Sequence, residues 1–373
     1  MTAIAFRIES LALRQFRNIE QADVTSLPRF TVLSGDNGQG KTSVLEAIYF
    51  VCTSKSFRTS KLSEMIRHGA SASSVRAVAV EGTDRREQVV GLEGSRRTVT
   101  LAGKRPPNFA SYAVRSPVVV FHPGDMVLSS GPASRRRTLL DRVALFVDPT
   151  SMDHLARYAE ASRSRQRALE TRGEQARELD AFERIMASHG AGITRARSRA
   201  FGRLAPELER SFLRITAESR PLSAEYQPGG SDDEVALEEA HRKDRERDRR
   251  RGSASTGPHR DDLVIRLGSY DVRADASQGE HRAITMALKM AELSCIAEAR
   301  GIQPILLLDD VSSELDLSRT ALLFEFLREN EGQIFLTTTR PSIIDTAGLG
   351  AAERGDFRLV GGVVQEGASR DLA

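Results

Sequence analysis

Residues 34–43 read S-G-D-N-G-Q-G-K-T-S, and this stretch decides the fold class. Gly35 and Gly40 enclose four residues and Lys41-Thr42 follows, which is the G-x-x-x-x-G-K-[ST] spacing of a phosphate-binding loop. Glycines let the backbone turn tightly, so that successive N–H groups face phosphate oxygens. An apolar strand-like run precedes the loop, and apolar residues at helical spacing follow it. This order favours a nucleotide site over a glycine-rich turn that matches by chance.

The loop predicts specific contacts with ATP and Mg²⁺. Lys41 is expected to reach the β/γ phosphates and to act in catalysis, and the Thr42 hydroxyl is expected to hold Mg²⁺. The candidate cofactor-binding residues of the loop are Gly35, Asp36, Asn37, Gly38, Gln39, Gly40, Lys41, Thr42 and Ser43.

Composition sets the broad class. The 373 residues are 40% hydrophobic and 28% charged, as in a soluble globular protein with two or three domains. No apolar run approaches ~18 residues and the N-terminus lacks a signal peptide, so a cytoplasmic protein without a membrane partner is expected. Cys52 and Cys295 are predicted to be reduced core residues. The net charge of +3 leans towards anionic partners but decides little.

The chain alternates between three kinds of sequence pattern. Short β-like runs within residues 75–101 predict antiparallel hairpins, and residues 118–121 predict a buried strand. Residues 135–216 show helical spacing, with Gly173 as a candidate turn of an αα-hairpin arm. Residues 221–233 are predicted to be a loop. The mixed-charge run 241–251 is predicted to be a solvated helix or a mobile segment.

From residue 256 the α/β pattern returns, so one α/β domain is predicted to be interrupted by a helical insertion. The predicted fold class is α/β, a P-loop ATPase head that combines a mixed sheet and helices with an antiparallel β subdomain. The predicted domains are residues 1–133 and 254–373 for the two halves of the head, and residues 134–253 for the α-helical arm.

A second acidic motif is expected to complete the site. Residues 305–310 read I-L-L-L-D-D, a buried strand followed by two carboxylates. Asp309 is the candidate metal-side residue, acting through water, and Asp310 is the candidate catalytic residue that polarises the attacking water. Asp309 as a mere helix cap is the alternative. The phosphate loop elsewhere in the chain makes the functional interpretation the stronger one.

Residues 277–281, S-Q-G-E-H, open a long predicted helix. A serine hydroxyl, free N–H groups and the positive end of the helix dipole together suit a phosphate, although serine is also an ordinary N-cap. The order phosphate loop, S-Q-G-E, L-L-L-D-D and then S-E-L-D within residues 312–316 is far more specific than any one motif.

That order resembles the ABC-type ATPase superfamily, and within it the bacterial recombination mediators related to the SMC and Rad50 heads. The resemblance covers essentially the whole chain, and G-P-H-R-D-D-L is its most family-specific piece. The motifs that carry it are F-R-N (16–18), G-D-N-G-Q-G-K-T-S-V-L-E-A-I (35–48), S-F-R-T (56–59), R-R-R-T-L-L-D (135–141), G-P-H-R-D-D-L (257–263) and L-L-L-D-D-V-S-S-E-L-D (306–316).

The resemblance implies further roles. Ser277, with Gln278, Gly279 and Glu280, would complete the phosphate-loop site of a second subunit, and Ser277 would act there in trans. Arg17 becomes a candidate phosphate contact. His122 stands roughly where the metal-sensing glutamine is expected, which makes it a candidate metal ligand. Thr338 or Thr339 replaces the switch histidine, and Asp310 replaces the catalytic glutamate, which implies slow hydrolysis.

The predicted function is an ATP-dependent DNA clamp that dimerises on ATP binding and reopens on hydrolysis. The resemblance implies sequence-independent binding at gapped or single-strand/double-strand junctions in DNA repair, recombination, replication and the SOS response, with recombination mediators and a recombinase as partners. Candidate DNA contacts are Lys55, Arg58, Arg76, Lys104 and Arg105. The alternatives are the ATPase subunit of a membrane transporter, usually a shorter uninterrupted chain, and a small-molecule kinase, which would leave S-Q-G-E and S-E-L-D unexplained.

Overall fold

The structure is a computed structural model that describes residues 4–216, 220–310, 317–341 and 353–366, without the side chains of residues 317–320. By internal contacts the chain divides into two compact units. The first unit comprises Met1–Asp125, Arg214–Thr216 and Ile296–Ala373, and the second comprises Met126–Leu213 and Ala217–Cys295. The boundaries between these compact units fall at other positions than 133/134 and 253/254. The functional division into head and arm at those residues therefore stays a prediction.

A six-stranded, mostly parallel sheet positions the phosphate loop in the first unit. Its strand order is β15-β14-β3-β13-β12-β7, and only the β14–β15 pair is antiparallel. Helix α1 follows β3 and buries its apolar residues together with the sheet. The elements are β3 (Phe30–Ser34), α1 (Lys41–Thr53), β7 (Val118–Phe121), β12 (Ile305–Leu308), α11 (Leu317–Glu329), β13 (Ile334–Thr338), β14 (Arg354–Val360) and β15 (Val363–Glu366).

A second sheet of the first unit is antiparallel apart from one edge pair. Its order is β11-β1-β4-β5-β6, with β2 also paired to β1, and β11 runs parallel to β1. It confirms the predicted hairpins. The elements are β1 (Ile4–Phe16), β2 (Ile19–Val24), β4 (Ala72–Glu81), β5 (Asp84–Glu93), β6 (Arg96–Leu101), α2 (Phe109–Val114) and β11 (Ile302–Gln303).

The second unit is mainly helical, as the spacing of residues 135–216 predicted. Gly173 caps α5 with a φ of 81°, a backbone conformation that favours glycine, and ends the first long helix. The elements are α3 (Val127–Ser130), α4 (Ala133–Val147), α5 (Ser151–Arg172), α6 (Leu179–Ile215), β8 (Leu222–Gln227), α7 (Glu234–Lys243), α8 (Arg245–Arg251), β9 (Asp262–Leu267), β10 (Tyr270–Asp271), α9 (Val272–Asp275) and α10 (Gln278–Arg300).

One prediction for this unit is wrong, and the prediction of a solvated helix for the run 241–251 is confirmed only in part. The segment 221–233 contains β8, which pairs antiparallel with β9. The run 241–251 forms two helices that contribute buried groups, because Asp248 and His241 are fully buried and Asp248 accepts a hydrogen bond from Arg165. The predicted buried strands at residues 118–121 and 305–308, and the predicted helix opened by residues 277–281, are confirmed. The motif within residues 312–316 lies outside the described residues.

Both cysteines are free and buried, as predicted, and burial raises the pKa of the Cys52 thiol. Across the part of the chain that the structure describes, no helix is long and apolar enough to cross a membrane.

Candidate functional site

The phosphate loop joins the end of β3 to the start of α1 and packs closely on its surroundings. Gly35 has a φ of 145°, and a Cβ there would lie 2.5 Å from the Leu359 carbonyl oxygen of β14. Gly40 has a φ of 108°, and its Cβ would press on the Asn18 side chain at 3.1 Å. Both positions therefore require glycine for conformation and for space. The Gln39 side chain accepts a hydrogen bond from the Gly361 N–H, which ties the loop to the β14–β15 turn.

Lys41 lies inside the loop that it follows. Its Nζ donates to the carbonyl oxygens of Gly35 and Asp36, at 2.7 and 2.8 Å. Burial lowers the pKa of Lys41, and the nearby Asp310, Asp309 and Asp36 carboxylates oppose that shift. The ammonium is thus held by neutral carbonyls in a partly dehydrated position, where a phosphate oxygen would be a stronger acceptor.

Asp309 links three elements at the carboxyl ends of the parallel strands. Its Oδ1 accepts from Thr42 Oγ1 on α1 and from Thr337 Oγ1 on β13, both at 2.9 Å. Thr337 Oγ1 also accepts from the Asp310 N–H at 2.9 Å. Burial raises the pKa of Asp309, although the two threonine hydroxyls act in the opposite direction. A buried carboxylate beside a hydroxyl is a donor set that suits a hard cation such as Mg²⁺.

An open cleft of about 1410 Å³ brings these groups together. The predicted Asn37, Gly38, Gly40, Lys41, Thr42, Ser43, Asp309, Asp310 and Arg17 all line it. Its further lining includes Asn18, Arg58, Thr337 and the segment 63–71. The cleft is large enough for a nucleotide, whose binding sites commonly occupy several hundred cubic ångströms.

Arg17 lines the cleft but is committed to protein partners. Its Nε and Nη2 donate to the Glu46 carboxylate at 2.8 and 2.6 Å, and its Nη1 donates to the Glu64 carbonyl. Glu46 is fully buried and also accepts from Ser56 and Arg58. The sequence interpretation missed Glu46, although it stands in L-E-A-I directly after the loop and is the only acid in α1.

Two further candidate positions, His122 and Thr338, have other partners. His122 contacts Asp125 and the Phe57 ring, and no group of three or more potential metal ligands occurs among the described residues. Thr338 is fully buried and its hydroxyl accepts from Arg340 N. The threonine that touches the acidic pair is Thr337, one residue earlier. The sequence analysis missed the Thr337 hydroxyl because Thr337 lies inside a strand-like run, where threonine is a common residue.

The Ser277–Glu280 segment belongs to the second unit and opens α10 with a capping box. Ser277 N donates to Glu280 Oε2 at 2.6 Å, and Glu280 N donates to Ser277 Oγ at 3.3 Å. The hydrogen bonds from Ser277 and the Arg220 guanidinium lower the pKa of Glu280. Ser277 thus caps α10 within the single chain, whether or not a second subunit is present.

The candidate DNA contacts lie in the first unit and differ in their ion pairs and in their exposure. Arg58 pairs with Glu46 at 3.2 Å, and Arg76 pairs with Glu87 at 3.3 Å on the exposed antiparallel sheet. Lys55, Lys104 and Arg105 are exposed. Exposed cations of this kind can contact a phosphate backbone, a contact that carries no sequence information.

Known proteins similar to this chain are found along its whole length. The sequence family described as the RecF/RecN/SMC N-terminal domain matches residues 7–352. The DNA replication and repair protein RecF of Anaeromyxobacter sp. (strain Fw109-5) is 38% identical over 367 residues, which is 96% of this chain and 98% of that protein. The protein of the same name from Myxococcus xanthus is 36% identical and covers 91% of this chain and 92% of its own.

Solved structures agree with the sequence comparisons. The recombination mediator protein RecF-ATP in the RecFOR pathway superposes with a TM-score of 0.88 at 25% identity, covering 98% of this chain and 99% of that one. The Smc head domain from Pyrococcus furiosus superposes with a TM-score of 0.55 at 16% identity, covering 97% and 96%. The second likeness concerns the fold alone, and together with the first it confirms the predicted α/β head.

Proposed function

Because this chain belongs to the RecF/RecN/SMC family of ATPases, on its RecF branch, we propose that it acts as an ATP-dependent DNA clamp in recombination and gap repair. The observation that carries the proposal is the convergence of Lys41, Thr42 and the Asp309–Asp310 pair on one cleft. Membership of the family makes the chain a DNA-repair ATPase. Beyond that, we propose dimerisation, clamp closure and slow turnover.

ATP and Mg²⁺ fit the groups that the cleft presents. The backbone of residues 35–43 and the Lys41 ammonium would hold the phosphates. Thr42 and Asp309, already joined through a 2.9 Å hydrogen bond, would hold the metal and its water shell. Mg²⁺ would supply charge neutralisation on the phosphate oxygens when bound.

The protein's own part in hydrolysis falls to Asp310. Its carboxylate lies in the cleft lining, next to the Asp309 position, where it can accept a proton from an attacking water. Its backbone N–H is fixed by Thr337 at 2.9 Å, so the aspartate stands on a defined backbone. Aspartate is one methylene shorter than glutamate, and we attribute slow turnover to that difference in reach.

Dimerisation would complete the site. Ser277 of one subunit would contact the nucleotide held by the other, so that ATP adds contacts that exist only in the closed dimer. Closure would place exposed cations such as Arg76 and Lys104 against DNA phosphates, giving binding without sequence preference and with steep salt dependence. Gapped or junction DNA is the proposed substrate.

Recombination mediators and a recombinase are the proposed protein partners, and the cytoplasm is the proposed location. The recombination mediator with which this chain superposes is described within the RecFOR pathway, which supports the choice of partners. The relatives give no support to the transporter alternative.

Sedimentation velocity tests the proposal directly. The wild-type chain and Lys41→Ala are compared with and without ATP, and with gapped, blunt and single-stranded DNA at two salt concentrations. We expect an ATP-dependent dimer that prefers gapped duplex, and a Lys41→Ala chain that stays monomeric because its nucleotide affinity falls more than about tenfold. Dimers of Lys41→Ala that still require ATP would refute the assignment of the site.

A further inference from the structure

Two sequence motifs with no part in the nucleotide site contact each other in the second unit. They are R-R-R-T-L-L-D (135–141) and G-P-H-R-D-D-L (257–263). Arg136 forms a bidentate pair with Asp262, with Nε–Oδ1 and Nη2–Oδ2 distances of 2.7 and 3.0 Å. Arg136 is only 3% exposed and Asp262 is partly buried, and the pair fastens the start of α4 to the start of β9.

The Arg136 guanidinium also fixes the single turn of α3. Its Nη1 donates to the carbonyl oxygens of Leu128 and Gly131, at 3.3 and 3.0 Å. The chain turns so closely at Gly131 that a Cβ there would lie 2.6 Å from the Val127 carbonyl oxygen. A side chain at 131 would therefore displace α3 or break its contact with Arg136.

Helix α3 in turn contacts the first turns of α10. Ser129 is 2% exposed, and its Oγ lies 3.0 Å from His281 Nδ1 and 3.0 Å from Thr285 Oγ1. Burial lowers the pKa of His281, against the opposing charge of Glu280, and so favours the neutral imidazole, whose ring nitrogens are one donor and one acceptor. The backbone N–H of His281 donates to the Ser277 carbonyl oxygen at 2.9 Å. The contact between His281 and Ser129 is therefore one helical turn away from Ser277.

We propose that Arg136 and Ser129 are positioning residues for the segment 277–280, which they reach through α3 and His281. This inference rests on the proposed function, in which Ser277 must meet the nucleotide of a second subunit. The capping box is local to α10 and cannot by itself fix where the helix begins. Arg220, paired with Glu280 on the more exposed side, and Ser129, on the buried side, supply anchors from outside the helix.

The neighbouring serine offers a matched control. Ser130 stands on the same turn, is exposed, and donates to the Met126 carbonyl oxygen, whereas Ser129 reaches α10. In the full chain without ATP, we expect the amides of residues 277–281 to exchange hydrogen about tenfold faster in Ser129→Ala than in Ser130→Ala, because a buried anchor of this turn is lost. Equal exchange in the two variants overturns the proposal, and this measurement does not depend on dimerisation.

A second measurement separates positioning from general stability. We expect Ser129→Ala and Arg136→Lys to bind ATP as monomers within about twofold of wild type and to weaken the ATP-dependent dimer about tenfold. In a double-mutant cycle, Ser129→Ala and Ser277→Ala should be non-additive in dimer affinity, since both act through one contact. Additive effects, or faster exchange with unchanged dimer affinity, would leave Ser129 a structural residue only. A wild-type chain that never dimerises would refute the proposed function, while the exchange result still decides the positioning.

Discussion

Neighbouring residues of the cleft differ in how firmly the protein holds them. Thr42 is fixed through Asp309, whereas the hydrogen bonds of Lys41 to the described residues go to backbone carbonyl oxygens, which a phosphate can replace. Arg17 is bound on every side-chain nitrogen, to Glu46 and to the Glu64 carbonyl. A group that contacts a ligand needs partners that the ligand can replace. We therefore assign Arg17 to supporting the wall of the cleft and not to contacting the ligand.

The first prediction concerns Asp310, whose φ of 50° lies in the left-handed region. Asparagine tolerates this conformation, whereas alanine would add strain of roughly 1 kcal/mol, so Asp310→Asn is the cleaner change. We expect it to bind ATP normally, to accumulate as the ATP-bound dimer and to hydrolyse at least about 100-fold more slowly, because the general base is lost. Single-turnover hydrolysis measures this, and brisk turnover would assign the proton transfer to another residue.

The second prediction concerns the buried charge of Asp309. Since burial raises the pKa of Asp309, ionisation costs more in the native state than in the unfolded chain, and this cost appears as the pH rises through that pKa. The amide of Asp309→Asn can still accept from Thr42 and Thr337. We therefore expect the variant to have a higher free energy of unfolding at pH 7, with the difference shrinking as the pH is lowered towards about 4, while Mg²⁺-dependent hydrolysis is lost.

Denaturant unfolding at several pH values checks this second prediction. Asp153→Asn, at an exposed aspartate on α5, serves as the surface control. A variant of Asp309 that is less stable than wild type at pH 7 would show that the carboxylate holds the site together even without metal.

Among the elements, those with a local signal were predictable and those stabilised by distant partners were not. The strand–loop–helix around Gly35 follows from glycine spacing and apolar runs within a short window. Strand β8 was missed because its sequence, L-S-A-E-Y-Q, buries only Leu222, and its pairing partner β9 lies about 40 residues away. The position of Thr337 between Asp309 and Asp310 likewise depends on strand order, which no single segment encodes.

The charged run of α8 shows the same limit and gives the third prediction. Asp248 is fully buried and accepts from Arg165 Nη1 at 2.7 Å and from Ser255 N at 2.7 Å, while Arg165 Nε donates to Glu183. Removing one partner of a buried ion pair leaves the other uncompensated, so Asp248→Ala should lower the free energy of unfolding by about 3 kcal/mol. Arg250→Ala, which breaks an exposed pair with Glu246, should change it by less than about 0.5 kcal/mol.

Chemical denaturation of both variants checks the third prediction in a single experiment. Similar losses for Asp248→Ala and Arg250→Ala would mean that the run is solvated, as its sequence alone suggested. A large loss confined to Asp248→Ala would show that α8 is part of the core of the second unit.

At the scale of the whole molecule, the residues proposed for nucleotide binding and for nucleotide-driven assembly lie in different compact units. The phosphate loop, Asp309 and Asp310 belong to the first unit, and Ser277 belongs to the second. A change at Ser277 should therefore separate the two activities, which is a stricter test of the clamp than loss of function at Lys41. The sequence analysis placed Ser277 in the second half of the head, residues 254–373, together with Asp309 and Asp310, so its assignment to a different compact unit required the contacts of the folded chain.

The fourth prediction uses two substitutions at Ser277 to separate its cap from its contact with a second subunit. Ser277→Ala removes the hydroxyl that accepts from the Glu280 N–H, a loss of about 1 kcal/mol for the helix, and should weaken the ATP-dependent dimer without abolishing it. Ser277→Arg adds a long cation at the position proposed to approach the partner's nucleotide, so we expect no dimer at all. Both variants should bind a fluorescent ATP analogue as monomers with wild-type affinity, measured by titration alongside sedimentation with ATP. Dimers of Ser277→Arg at wild-type strength would place the second subunit's contact elsewhere, and impaired monomer binding would show that Ser277 serves the phosphate site of its own chain.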